Sequence, residues 1–562
     1  MTALIAIFLL LFIPGAMLTI HLLRREAKSL WLLAMLGALL AWPAVYLMGR
    51  NIPEKIGTLI WQPISLFPLS PVLLVDSTSW IFALVLATQL LAVMLTSVAR
   101  FGGKSQPIQD NSPTDDKKES SPSSLPIASQ SKSWQAWAGN LALTSLGLVA
   151  VLAGNLLTLL LAWAALDIVE MIILMGQVST SDLRGKVVIT FSTRIAGMAV
   201  LFAAGIIIWN QGGLLEFNSI SPQASLFLVL AAGLRLGILP IHVPFIQELP
   251  MRIGLGTILR LVPVSACLIL LVRCAEVGIQ GTIGLVMLGL TALAGLAGGV
   301  SWLRAQDELA GRPYWILTTA SLAMAAAIQA QPTAALAWSL AAMLPGALIF
   351  LSSVKRRALV PIIIAGALCL TGLPFTPVWA GTSVFQPTTV PSDIAGKVFT
   401  LLVGLILVTV HAYLLAGYLI HGLRGVMIPN DIPRQQVERW VWLLYIPGLI
   451  TLPILHAWLG WMIHPDARQA TLIMWAEGAS ALGLAAAIWF FTSRPAHLAG
   501  SSSHKKLMLS AEHISRPLYK PLLLLFRLFS QVTRVISNLL EGEAGILWAL
   551  VLLVLVLVFL QQ

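Results

Sequence analysis

Apolar residues run along this chain in long blocks, each broken by a short polar or basic stretch. A hydrocarbon core about 30 Å thick is crossed by about 20 apolar residues of helix, so blocks of that length predict membrane spans. They fall at 2–22, 30–48, 78–98, 134–153, 155–177, 187–209, 224–246, 254–273, 279–303, 313–329, 333–353, 358–380, 398–420, 440–463, 470–492 and 544–560. The pattern predicts an all-α polytopic membrane protein with about sixteen transmembrane helices. The first block, Met1 to Ile20, has neither a basic leading region nor an Ala-x-Ala-like cleavage site. It reads as a retained helix rather than a signal peptide.

Composition agrees with the pattern. The chain has 562 residues, 58% of them hydrophobic and only 10% charged, with a mean hydropathy of +0.89. No water-soluble fold hides that much apolar side chain behind so few charges. The net charge of +11 would also suit a nucleic-acid partner, but the basic residues are spread along one face of the predicted topology with no aromatic residues between them. Arg24, Arg25 and Lys28, the run from Arg100 to Lys132, Arg184 and Lys186, Arg252, Arg304 and Arg312, Lys355 to Arg357, Arg424 to Arg439, and Arg494 to Arg534 all share one side. Only Arg50, Lys55, Arg273, Lys397 and Arg468 fall on the other. By the positive-inside rule the first side is cytoplasmic, which puts both termini on the periplasmic side of a bacterial inner membrane. Arg194, Arg235 and Arg260 fall within predicted spans. Cys267, Cys274 and Cys369 lie in apolar segments without metal-ligand spacing, so no metal site is expected and the thiols read as core residues.

The blocks divide the chain into residues 1–100 with three helices, a polar loop at 101–133, two five-helix stretches at 134–273 and 279–421, further helices at 437–492, a polar-striped segment at 493–543 and a last helix at 544–562. The loop 101–133 is rich in Ser, Pro, Asp and Lys and lacks apolar periodicity, which predicts a disordered cytoplasmic connection or a partner-binding tail. Beyond Pro517 and Pro521, the run LLLLFRLFSQVTRVISNLLE sets Arg527, Gln531, Arg534, Asn538 and Glu541 at spacings of four and three. This is a polar stripe on an interfacial helix, either packed on its own subunit or reaching a partner as a strut.

Two apolar segments carry internal prolines: RLGILPIHVPF with Pro240 and Pro244, and TGLPFTPVWAG with Pro374 and Pro377. Proline removes a backbone donor, and hydrocarbon tolerates the break only where protein or a polar cavity satisfies the freed groups. Broken helices five segments apart predict two inverted five-helix repeats.

Taken in order, the motifs resemble the antiporter-like membrane subunits of respiratory complex I, its hydrogenase relatives and the Mrp cation/proton antiporters. VDSTSW at Val75 to Trp80 resembles that family's Asp-x-x-Ser at the start of its third helix. GNLLTLLLAW at Gly154 to Trp163 resembles its Asn-Leu-Leu run before Trp-Glu, and FSTRIAG around Arg194 is similar to its Asn-Arg-x-Gly-Asp helix. The two proline segments match its two broken helices, with Pro240 and His242 in register in the first. The resemblance implies a membrane-arm subunit of an NADH-quinone oxidoreductase-like or hydrogenase-like complex. It also implies a proton path that starts at a Glu on the fifth helix paired with a Lys on the seventh.

Most of that path is replaced here. Alignment on the motifs puts the family Glu on Ala164 and the family Lys on Arg235. The helix that carries His, His and Lys in the family reads Trp338, Ala342 and Gly346, and the Lys after the second break becomes Thr382. Asp167 follows Ala164 by three residues and Glu170 follows by three more, so both lie near the same face. One reading is a structural Asp167–Arg235 ion pair, because a guanidinium does not deprotonate and cannot relay a proton. The other is a shifted path using Asp167, Glu170 and His242, with Arg260 as a fixed charge and Arg194 nearby. His411, His456 and Glu477 read as internally satisfied polar residues in apolar helices.

Three functional readings follow: a structural or coupling subunit that has lost proton translocation, an active proton or cation translocator, or a membrane-bound transferase on a polyprenyl-type substrate. The last lacks an acidic metal-binding motif, since Glu54 is the only Asp or Glu in the external loop 50–75. No flavin, iron–sulfur or nickel ligand set is present in the sequence, so no cofactor is expected.

Overall fold

The computed structural model describes residues 2–23, 30–57, 70–97, 133–176, 181–212, 215–243, 253–352, 357–386, 394–427, 439–463 and 472–493. The predicted loop 101–133 (apart from Ser133), Pro244, the striped segment beyond Ser493 and the last predicted helix lie outside these residues. Each of the other predicted blocks contains a helix: α1 (Thr2–Leu23), α2 (Leu30–Met48), α3 (Ser77–Thr96), α4 (Ser133–Val151), α5 (Leu156–Met175), α6 (Ser181–Asn210), α7 (Pro222–Leu236), α8 (Ile253–Cys274), α9 (Gly281–Arg304), α10 (Arg312–Ile328), α11 (Pro332–Leu351), α12 (Val360–Cys369), α13 (Ile394–Met427), α14 (Arg439–Ile463) and α15 (Leu472–Ser493). Ten of the described helices are long and apolar enough to cross a membrane, and the chain is a multi-pass membrane protein. Two compact units are distinguished, Met1–Phe490 and Phe491–Gln562. Every element above belongs to the first except the last residues of α15.

Within the first unit, α8 from Leu255 and α11 from Ala334 are buried to their C-terminal ends and form the centre, whereas α1 and α2 expose much of their length. The outer flank of those two helices presents Phe8, Phe12, Leu32 and Leu36, side chains that lipid solvates as well as protein does. α7 and α12 are short because each stops at a predicted break. α7 ends at Gly237, whose φ of 77° is left-handed, a conformation that glycine adopts without Cβ strain. The carbonyl of Gly233 then accepts from the backbone N–H of Ile238, and that of Gly237 from His242. The break thus satisfies part of its own backbone, as hydrocarbon demands.

One element departs from the all-helical expectation. Strands β1 (Glu54–Gly57) and β2 (Val72–Val75) pair antiparallel, with Glu54 opposite Val75 and Gly57 opposite Val72. The turn between α4 and α5 crosses this hairpin, where the backbone N–H of Gly154 donates to the Val72 carbonyl at 2.8 Å. A Cβ at Gly154 would stand 3.1 Å from both that oxygen and the Leu74 Cβ, so a side chain there would push the two backbones a few tenths of an ångström apart. Arg273, at the end of α8, ties the turn down. It donates to the Ala153 carbonyl at 2.6 Å, lies 4.1 Å from the Phe217 ring centroid, and stands 3.7 Å from the Asp76 carboxylate. Asn155 then caps α5, accepting from the Thr158 N–H while its amide donates to the Ser70 carbonyl.

Candidate functional site

The buried charges of the first half meet between α5, α6, α7 and α8. On α5 the residues Leu159, Ala162, Trp163, Leu166, Asp167, Glu170 and Leu174 are buried, while Leu161, Ile168, Met171 and Ile172 are exposed. This 3–4 spacing turns both acids away from the lipid-facing side, where a carboxylate has no partner. Arg235, in the last turn of α7, directs both terminal nitrogens at Asp167, at 2.7 Å each. Arg194 of α6 forms a second fork on Glu170, through Nη1 to Oε2 and through Nη2 to Oε1 at 3.1 Å. Arg194 Nη1 also reaches Asp167 at 3.4 Å, so one carboxylate joins both guanidinium groups. All four side chains are buried.

Apolar residues fix the forks. Arg235 lies over the Trp163 ring, 4.4 Å from its centroid, and Arg194 over Phe191 at 5.0 Å. Gly197 faces the stem of Arg235. A Cβ there would come 2.7 Å from Arg235 Cγ and 3.1 Å from the Ala231 carbonyl. Arg260 and Cys267 of α8, seven residues apart and so on one face, are buried beside the cluster. Arg260 is within electrostatic range of Glu170 and Arg194, and Cys267 is within range of Arg235 and Asp167. Two acids against three arginines leave this region with an excess formal positive charge.

The structure therefore brings together Asp167, Glu170, Arg194 and Arg235, with Arg260 at their margin. It places His242 differently: its Nδ1 bonds the Pro240 carbonyl at 2.7 Å within the break itself. Chemically, the forks are bidentate carboxylate–guanidinium pairs, which are strong and directional. Neither guanidinium can give up its proton, so the cluster holds helices in register without passing charge through the arginines.

In the second half, one tryptophan and three small uncharged residues stand at the positions that the resemblance assigns to ionisable groups. Trp338 stands at one such position and donates to the Gly381 carbonyl at 2.8 Å. Trp315 donates to the Ala342 carbonyl at 3.0 Å, and a Cβ on Gly346 would stand 2.5 Å from its Nε1. The two residues that the resemblance sets against His and Lys, Ala342 and Gly346, are small enough to seat this indole. Trp302 packs edge-on against Trp315 at 5.4 Å, and all three tryptophans are fully buried. Thr382 bonds the Trp379 carbonyl in its own turn.

The second break, 370–386, is held by neutral donors. Gln329 donates to the Val384 carbonyl, and Gln331 to those of Ser383 and Gln386. Pro377 packs against Gly460 of α14, while the turn around Pro374 is closed by the Thr376 N–H donating to the Leu373 carbonyl. His411 bonds the Leu370 carbonyl at 2.7 Å, and Glu477 accepts from Gln386 at 2.7 Å. His456 departs from the expectation of a satisfied residue: it is fully buried, and among the described residues neither ring nitrogen has a hydrogen-bond partner. The sequence reading took Cys267 only as a core thiol and Trp163 only as part of a motif, and it did not single out Gly197 or Trp315. Trp163 alone carried a signal, standing four residues before Asp167 on the same face.

No family model and no curated protein matches this sequence. Solved structures do. A chain of the Mrp complex from Dietzia sp. superposes with a TM-score of 0.63 at 13% identity, over 99% of this chain and 62% of that one. A chain of the membrane-bound sulfane sulfur reductase, an archaeal respiratory membrane complex, gives 0.62 at 14% identity, covering 98% of this chain and 99% of that one. A chain of respiratory complex I from Thermus thermophilus gives 0.55 at 16%, over 82% and 99%. This chain spans less than two thirds of the length of the Mrp chain it matches. Its fold resembles that of antiporter-like subunits.

Proposed function

We propose that this chain is a membrane-arm subunit of a multi-subunit respiratory-type complex of the complex I, hydrogenase or Mrp kind, in which it holds neighbouring subunits together rather than passing protons. The observation that carries the reading is the fork between Arg235 and Asp167. The resemblance assigns the Arg235 position to a lysine that gains and loses a proton. Here the position holds a permanent cation with both terminal nitrogens committed to one carboxylate. The tryptophan packing at Trp338 and Trp315 supports the same conclusion for the second half. The partners are other membrane subunits and lipid, and no cofactor is assigned to this chain. The spread of Lys and Arg supports an inner-membrane location with both ends outside.

Purification in mild detergent, with identification of what comes along, tests the assembly. Further membrane subunits are expected in stoichiometric amount, and a chain that runs alone as a monomer contradicts the proposal. Arg235→Lys tests the role. A lysine offers one compact ammonium in place of the fork, so the thermal stability of the complex should fall by about 1.5–3 kcal/mol, the size of a charged hydrogen bond. Turnover and ion flux of the complex should not change. Altered flux at full assembly identifies the site as part of a transport path.

A further inference from the structure

α1 and α2 carry an open apolar groove below an exposed cation. α1 turns Ile5, Phe8, Leu11 and Phe12 outward, with Phe8 62% and Phe12 74% exposed. Together with Leu9 they line a groove of about 520 Å³. Gly15, one turn further along the same stripe, leaves the far end open, because a Cβ there would meet nothing within 4 Å. From Ile5 to Gly15 the helix rises about 15 Å, at about 1.5 Å per residue. That is the depth of one leaflet of a hydrocarbon core about 30 Å thick.

The cation is Arg50, in the turn that ends α2. Gly37 of α2 packs on Ile13 of α1, and the short connection between the two helices makes them antiparallel. Counted from that contact, Arg50 lies about 8 Å beyond Ile5, toward the membrane surface. Arg50 is exposed and has no ion pair among the described residues. By contrast, Lys55 in the hairpin bonds Glu216, and Arg273 bonds the Ala153 carbonyl. Tyr46, about one turn before Arg50 and on the same side, is 43% exposed and stacks on Trp42 with centroids 5.6 Å apart. Trp42 is held in turn by its hydrogen bond to the Thr88 hydroxyl at 2.9 Å. A guanidinium and a phenol therefore stand together above an apolar slot as deep as one leaflet.

We propose that this flank binds an anionic phospholipid, with its phosphate on Arg50 and the Tyr46 hydroxyl and one acyl chain along the groove. Arginine offers phosphate a planar fork of donors. Tyrosine suits the headgroup level, with its ring inward and its hydroxyl in water. A helix of another subunit, or of a second copy, fits this surface poorly. Membrane helices close on one another through small residues, whereas Ile5, Phe8, Leu11 and Phe12 stand around open space that a flexible chain fills. The site is complete within α1 and α2, so it does not depend on the partner subunits proposed above.

Native mass spectrometry of the full-length protein, with whatever subunits accompany it, reads lipid binding directly. Of two dioleoyl lipids, phosphatidylglycerol should bind about fivefold more tightly than phosphatidylcholine, the worth of one basic side chain at an anionic surface. Arg50→Gln should abolish that preference. Lys397→Gln, at an exposed position of α13, should leave it intact. Equal binding of the two lipids, a preference that survives Arg50→Gln, or one lost equally in Lys397→Gln overturns the proposal. Competition by glycerol phosphate as strong as by the whole lipid marks a site for free anions and overturns it as well. The groove is tested separately, with benzoylphenylalanine placed at Phe12 and illuminated in native membranes. A phospholipid adduct is the expected product, and a crosslink to another subunit or to a second copy contradicts the assignment.

Discussion

Asparagine in place of Asp167 is expected to lower the stability of the detergent-solubilised protein by about 3–5 kcal/mol, the penalty for removing one partner of a buried ion pair. The carboxylate accepts both Nη atoms of Arg235 and a longer contact from Arg194. An amide keeps the shape but offers one acceptor oxygen where two were in use, and it brings donors toward two cations. Thermal unfolding followed by tryptophan fluorescence, with and without lipid, reads the loss. The matched double variant Asp167→Leu with Arg235→Met removes charge and counter-charge together, and most of the stability should return. Should the single variant unfold like the parent protein, the fork does not bind α5 to α7.

The second large effect is at Trp315. Its ring contacts Trp302, Phe350 and Tyr418 with centroids 5.4, 6.5 and 5.9 Å away, and it seats on Gly346. Trp315→Ala should lower stability by about 3–5 kcal/mol, because the surrounding helices collapse only partly into the space. It also strips the Ala342 carbonyl of its side-chain donor. In a membrane protein, packing rather than water exclusion holds helices together, so the loss should persist in lipid nanodiscs. A shift that vanishes on return to lipid would show that the indole is not a close-packed part of the interior.

These two sites differ in how far they can be read from the chain. Asp167 and Arg235 were legible as a pair because each stands at a fixed helical offset from a motif, and a buried cation in hydrocarbon demands an acid. The partnership of Arg194 with Glu170 was not. The two residues lie on different helices, α6 and α5, whose relative rotation is set by tertiary packing, and spacing alone carries no such information. In the second half, the resemblance set Trp338, Ala342 and Gly346 against ionisable residues of the family. It did not reveal that the small residues exist to seat Trp315, since a tryptophan in an all-apolar helix does not declare its direction. The β1–β2 hairpin was illegible for a similar reason: four-residue strands carry little alternation, and their register depends on the distant turn at Gly154. His456 looked like an ordinary satisfied polar residue, because a missing partner is visible only once every neighbour is placed.

The proposed function is that a fold resembling antiporter-like subunits is kept here while its buried charges are locked in ion pairs. Proton flux through the purified chain in sealed liposomes, driven by a potassium diffusion potential and read with an internal pH dye, tests that claim most directly. The account predicts a rate equal to that of protein-free vesicles of the same lipid. A potential-driven flux that rises with the amount of protein and falls in the Arg235→Lys or Asp167→Asn variants would contradict it.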